Sequence, residues 1–386
     1  MSDISLPSTI TVSAPDTNIT LTGSGTKRVV HGGETVNRSF VLAASGVSLT
    51  LDTGVTLEGA GVRVTSGAAL VLNGAAITGV DSTSAVLVNK GGTFTMKDGS
   101  ISGNTSSSGG GGVHNSGTFI MESGSISDNT SSHGGGVQVL VGGTFTMKDG
   151  SIESNVSTYG GGGVYNIGTF TMEDGSISSN TSTYDGGGVY NSGTFTMERG
   201  SIEDNSASVN LTSSTVDSEG GTADSKGGGV YNRGDFTMKD GSIGGNEASA
   251  SVGYSPSVTY VRAYAYGGGV YNAEGGTFTM EGGSISPNEV SASVEYATDA
   301  SAYACGGGVY LDSGSAIAKT GGIINAGSFS RTTASGGNTG GAAVYVNCTD
   351  TPVRLENDVE VDHNLTKAAA DTTKSSLTAE NGWTGE

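Results

Sequence analysis

The sequence predicts an all-β protein, a right-handed single-stranded parallel β-helix with three short strands per coil of about 25 residues and a stacked hairpin fin. Three observations carry this. A Thr-Phe-Thr-Met unit or a close variant recurs along the middle of the chain. Glycine supplies 68 of 386 residues and proline only 5. Three longer insertions all fall in the same turn of the repeat.

The period is read from Phe94, Phe119, Phe145, Phe170, Phe195, Phe236 and Phe278, spaced by 25, 26, 25 and 25 residues and then by 41 and 42. Met follows each Phe two residues later (Met96, Met121, Met147, Met172, Met197, Met238, Met280), so every methionine except Met1 serves the repeat. Ile comes seven after each Phe, from Ile101 to Ile285, and Asn three further on: Asn104, Asn129, Asn155, Asn180, Asn205, Asn246 and Asn288. A glycine run then leads to Val113, Val137, Val164, Val189, Val230, Val270 and Val309.

Phe and Met alternate with Thr at period two, which is strand spacing. Such frequent glycine would unravel a helix. Each coil therefore holds a Phe-Met strand, a Gly-Ser-Ile strand and a Gly-Gly-Val-Tyr-Asn strand. Coils stacked about 4.8 Å apart pair each strand with its copies, and the apolar residues stack like on like inside. The Asn after Ile lies where the chain bends. Its amide is placed to bond its copies and the turn backbone. Lys97, Glu122, Lys148, Glu173, Glu198, Lys239 and Glu281 follow the Met residues and form an outward ladder of mostly alternating sign.

Residues 1–90 read as tighter, irregular coils and a cap. Leu49/Leu51 and Leu70/Leu72 match Phe94/Met96, and Ile77 matches Ile101. In the coil before it that register falls on Thr56, with Val55 and Leu57 on either side. Residues 91–365 are the regular part, in which Val353, Leu355, Val359 and Val361 suggest a last coil; 366–386 read as a polar tail or linker.

The net charge of −20 disfavours nucleic acid and anionic membranes as partners. No apolar run is long enough to span a bilayer, and Met1-Ser2-Asp3 does not begin a signal peptide. The expectation is a monomeric piece of a longer secreted or surface protein. Cys305 and Cys348 flank successive repeats at opposite strand ends and are expected to be unbridged thiols.

The three insertions, 206–226, 247–266 and 289–305, lie between the Asn and the glycine run of consecutive coils. Each contains Ser-Ala-Ser-Val, and two return arms alternate Tyr with Ala. They are expected to form stacked hairpins that project side by side. Tyr254, Tyr260, Arg262, Tyr264, Tyr266, Tyr296 and Tyr303 are the candidate binding residues, since Tyr offers large contact area at low entropy cost. The same tyrosines could instead hold the fin together. Two outward rows are weaker candidates. One follows the Val: His114, Gln138, Tyr165, Tyr190, Tyr231, Tyr271, Tyr310 and Tyr345. The other is the Thr pair flanking each Phe, which looks like the ladders of ice-binding solenoids. Both have a purely structural reading as sheet-stabilising ladders.

The paired Gly-Gly-Gly-Val-Tyr and Ile-x-x-Asn motifs resemble the repeats of chlamydial polymorphic outer-membrane proteins, written GGA(I/L/V) and FxxN. They are similar, more closely, to β-helix repeats of adhesin-like proteins of gut bacteria and methanogenic archaea. The resemblance covers roughly residues 90–350, with Ile in place of the Phe of FxxN. It implies an extracellular or cell-surface adhesin that binds a glycan or protein on a host or neighbouring cell. No catalytic residue, metal or cofactor is expected. The carboxylates recur with the repeat, and His31, His114, His133 and His363 fall at unrelated coil positions. The alternatives are a carbohydrate-active β-helix lyase or hydrolase, which needs a unique carboxylate constellation, and a phage-fibre or ice-binding solenoid.

Overall fold

A computed structural model describes residues 9–23, 40–212, 221–253, 260–294, 299–312 and 314–324, together with the strands Ile4–Leu6, Lys27–His31, Ser328–Thr333, Thr339–Gly340, Val344–Val346 and Arg354–Glu356. Among these residues there is no helix, and the strands pair in parallel, coil upon coil, as a parallel β-helix. The chain divides into two compact units, residues 1–180 with 193–195, and residues 181–192 with 196–386.

In the first unit Phe94, Phe119, Phe145 and Phe170 are register partners, as are Met96, Met121, Met147 and Met172. Ile101, Ile126, Ile152 and Ile177 form the second column. Val62, Val86, Val113, Val137 and Val164 form the third. These side chains are fully buried. Neighbouring Phe rings from Phe94 to Phe195 stack at 4.6–4.8 Å with planes within 6°. Full burial of each ring contributes roughly 1.5–3 kcal/mol, which only the neighbouring coil makes available.

Two details differ from the sequence reading. From Thr105 on, each coil carries a fourth short strand after the Asn, seen in Thr105–Ser106, Thr130–His133 and Val156–Gly160. Ser and Thr dominate it, so no apolar period announces it. In the irregular coils Leu57, not Thr56, is the partner of Ile77. Asp52 pairs with both Asn73 and Gly74, and the turn at Thr53-Gly54 then adds two residues that the next coil lacks, so the register shifts by one overall.

The second unit has columns of the same kind, Phe236/Phe278, Ile202/Ile243/Ile285 and Val189/Val230/Val270/Val309. Ile317 and Lys319 then stand opposite Phe278 and Met280, and Leu355 pairs with Ile317. Val353, Val359, Val361, Cys348 and the 366–386 tail lie outside the described residues.

The insertions form a fin, but its bonding is not that of hairpins. The outgoing arms Ser206–Leu211, Glu247–Val252, Glu289–Val294 and Ser328–Thr333 pair in parallel with one another, in register. The return arms Gly221–Lys226, Tyr260–Tyr266 and Asp299–Cys305 make a second parallel sheet. Each insertion is thus an arch whose two arms belong to different sheets. The physical reason is that the coil's own stacking already places a copy of each arm one strand spacing away. Backbone bonds go to that copy, and the two arms of one arch meet through side chains. Ser328–Thr333 adds a fourth layer that the insertion lengths alone did not reveal.

Candidate functional site

The fin is held by small side chains. Val209, Ala248, Ala250, Val252, Val290, Ala292 and Val294 of the outgoing arms pack against Ala223, Val261, Ala263, Ala265, Ala302 and Ala304 of the return arms. Ser225 takes one inward position and its Oγ donates to the Ala207 carbonyl at 2.7 Å. Strand alternation then places Thr222, Asp224 and Lys226, with their register partners Arg262, Tyr264 and Tyr266, on the outer face of the return arms. Tyr303 is the partner of Tyr264 and Cys305 of Tyr266.

The Val strands carry their own outward row. Tyr190 and Tyr231 stack at 4.7 Å, Tyr231 and Tyr271 at 5.3 Å, and Tyr271 and Tyr310 at 5.0 Å. The two sets meet. Tyr266 lies 6.3 Å from Tyr271 and 4.7 Å from Tyr310, and Tyr264 links Tyr266 at 5.9 Å to Tyr303 at 5.0 Å. Outward side chains of two sheets joined by a bend can touch only on the inside of that bend. The return-arm face and the Val-strand face therefore enclose a concave corner, floored by seven tyrosines. Cys305 is buried there beside Tyr271, Ala273 and Tyr310.

Charge is concentrated at one end of the corner. Asp185, Lys226, Tyr266 and Cys305 all stand immediately before a Gly-Gly-Gly run, and Asp185 bridges Lys226 in parallel. Lys226 Nζ lies 2.6 Å from Asp224 Oδ2 and 5.6 Å from the Tyr271 ring centroid, a cation–π contact. Burial pushes the Asp185 carboxyl up to about 7; Lys226 pulls it down and Asp224 pushes it further up. Tyr271 donates its hydroxyl to Asp312 Oδ2 at 2.6 Å. Burial first, and then that bond, hold its phenol far above the usual range. The phenol of Tyr231 is raised mainly by burial, with Asp185 adding to it.

Of the residues singled out in the sequence, Arg262, Tyr264, Tyr266 and Tyr303 are placed on this corner. Tyr260 lies in its strand, and its side chain is outside the described residues, as are Tyr254 and Tyr296 altogether. The corner recruits residues that the insertions alone did not nominate: Tyr190, Tyr231, Tyr271 and Tyr310 from the Val-strand row, and Asp185, Asp224, Lys226 and Asp312. Aligning the residue before each glycine run would have found the Asp185–Lys226–Tyr266–Cys305 column.

The first unit carries a smaller relative of this arrangement. His133 stacks on Tyr159 at 5.1 Å and meets the edge of Tyr165 at 5.0 Å. Burial lowers the His133 imidazole pKa. Gln138, between His114 and Tyr165 in register, is buried with its Oε1 unbonded.

The outward charge ladder forms as expected, with Lys148–Glu122 at 3.5 Å and Lys239–Glu198 at 2.9 Å. Among the described residues, no group of three or more His, Cys, Asp or Glu is placed to hold a metal ion. Nor is any helix among them long and apolar enough to cross a membrane. No family model, no curated protein and no solved structure matches the chain significantly.

Proposed function

We propose that this chain is a non-enzymatic binding scaffold of the adhesin type, secreted or displayed on a cell surface, that grips a protein partner in the tyrosine corner of its fin. The observation that carries the reading is the contact of Tyr266 with Tyr271 and Tyr310, which makes one concave aromatic surface of two outward faces. Tyr231 and Tyr271 have a stacked ring on both sides, so their faces are already covered. Ring edges and phenol hydroxyls are what remain for a partner. That mixture of apolar contact and rigid hydrogen-bonding groups suits a protein surface. A sugar ring, by contrast, needs a free aromatic face. The surface location rests on the motif resemblance alone.

The test compares the intact chain with a Tyr264→Ala/Tyr303→Ala variant in cell-surface binding and on a glycan array. Loss of cell binding by about 2 kcal/mol or more, the size of an interface hot spot, with no glycan signal, supports the proposal. Unchanged binding removes the corner as the site. Tyrosine-dependent glycan capture replaces the protein partner with a sugar. Release of reducing ends from pectin or alginate would overturn the non-enzymatic reading.

A further inference from the structure

The first layer of the fin ends in an open strand edge. On its far side the outgoing arm Ser206–Leu211 is paired along its whole length with Glu247–Val252. On the near side its pairing stops after Thr181↔Ser206 and Ser182↔Ala207. The direction of the backbone groups follows from strand alternation. The Asn205 and Leu211 carbonyls accept from Glu247 and Gly253 of the second arch, so residues 205, 207, 209 and 211 bond toward it. The Ser182↔Ala207 pairing takes the Ser208 N–H, while the Ser208 C=O and the Asn210 N–H and C=O turn to the open side, where no strand among the described residues meets them.

The two arms treat this edge differently. The return arm, Gly-Thr-Ala-Asp-Ser-Lys, sets Asp224 and Lys226 beside its edge and is latched where the Gly186 N–H donates to the Lys226 carbonyl at 2.9 Å. Charges of this kind commonly guard exposed edges. The outgoing arm, Ser-Ala-Ser-Val-Asn-Leu, carries no charge and no proline. It is a template for strand addition.

The fin itself shows what such an edge accepts. The next two layers on the opposite side, parallel and in register, add small residues to the same inward columns: Ala207–Ala248–Val290, Val209–Ala250–Ala292 and Leu211–Val252–Val294; only the outermost layer has Phe329, Arg331 and Thr333 at these register positions. In the inner layers the facing arms fill the space with Ala and Val, which matches small inward residues on this side of the fin.

We propose that the open edge at Ser208–Leu211 docks an extended polypeptide segment whose alternate residues are Ala, Ser or Val, added in parallel as one more layer of the fin. The site is distinct from the tyrosine corner and does not depend on it.

The experiment uses the full chain and a synthetic peptide spanning residues 245–254, which contains the Glu-Ala-Ser-Ala-Ser-Val arm. Binding is read by fluorescence polarisation, and amide exchange is read residue by residue. The expected result is saturable binding that slows exchange of the Asn210 amide by about tenfold or more. Asn210→Pro removes an edge N–H that no strand of the fin uses. It is expected to abolish binding while leaving the melting temperature of the free protein unchanged. Asn210→Lys keeps that N–H, guards the edge with charge, and is expected to weaken binding as well. A peptide with Glu at both inward Ala positions should not bind. The proposal is overturned if the parent peptide does not bind at millimolar concentration, if Asn210→Pro binds it equally well, or if the Asn210 amide is already protected in the free chain.

Discussion

At the scale of single residues, the buried asparagines do more than cap a turn. Asn155 donates from Nδ2 to the Ile126 carbonyl at 2.9 Å and to Asn180 Oδ1 at 3.0 Å, while its Oδ1 accepts both the backbone N–H and the side-chain Nδ2 of Asn129 at 3.0 Å. Asn155→Ala strands Ile126 O, the Asn129 backbone N–H and one of the two Asn129 Nδ2 hydrogens in a dry interior, the other staying on the Ile101 carbonyl. At about 1–3 kcal/mol for each unsatisfied group, a loss of roughly 3 kcal/mol or more is expected in the urea-unfolding free energy. Lys148→Ala is the contrast. Its pair with Glu122 is exposed on both sides, 46% and 40%, and a change below about 1 kcal/mol is expected in the same measurement. Asp185 gives a pH signature. Its carboxyl titrates near 7 in the folded chain against 3.8 when free, so the native state keeps a proton that the unfolded chain has already released. The resulting stability is fully present below pH 3.8 and is lost as pH rises through about 7. Asp185→Asn, which cannot ionise, is expected to flatten that part of the stability–pH curve. An unchanged curve would show that water solvates the carboxylate at this partly exposed residue.

At the scale of elements, the turns decide where strands end. The residue before each ladder Asn is left-handed: φ is 55° at Asp128, 56° at Ser154 and Ser179, and 55° at Asp204, with glycine at 103 and 245. Pro287 holds this position in a later coil, where its ring forbids that conformation; the strand before it is correspondingly short, Ser284–Ile285. The glycine after each Met strand is required for a second reason. At Gly150, φ is 100° and an added Cβ would stand 2.6 Å from the Gly124 carbonyl and 2.7 Å from Met121 Cε. Gly150→Ala is therefore expected to cost about 1–3 kcal/mol through strain and crowding, seen as a lower denaturation midpoint. A second asparagine ladder, Asn191–Asn232–Asn272, is bonded at 2.8 and 2.7 Å inside the Val-strand turn. It was present in the sequence as the final Asn of Val-Tyr-Asn, recurring at the coil period.

For the whole molecule, two kinds of interior coexist. The coils bury Phe, Met, Ile and Val, whereas the fin buries mostly Ala and Val. Apolar area buried per residue is smaller in the fin, and stabilisation follows area. Native-state hydrogen exchange is expected to show the arms at 247–252 and 260–266 opening at lower free energy than the Phe strands; equal protection would refute that ranking. The sequence by itself determined the parallel coils, the stacks of Phe, Met, Ile and Val, the asparagine ladder and the place where the repeat departs from itself. It could do so because each depends on residues at one repeated spacing, where stacking turns recurrence directly into contact. Tertiary structure alone decided that the insertions are arches rather than hairpins, and that Tyr266 meets Tyr271 and Tyr310. Those contacts join different positions of the coil. They exist only once the bend between the return arm and the Val strand closes, and no spacing along the chain encodes the angle of that bend.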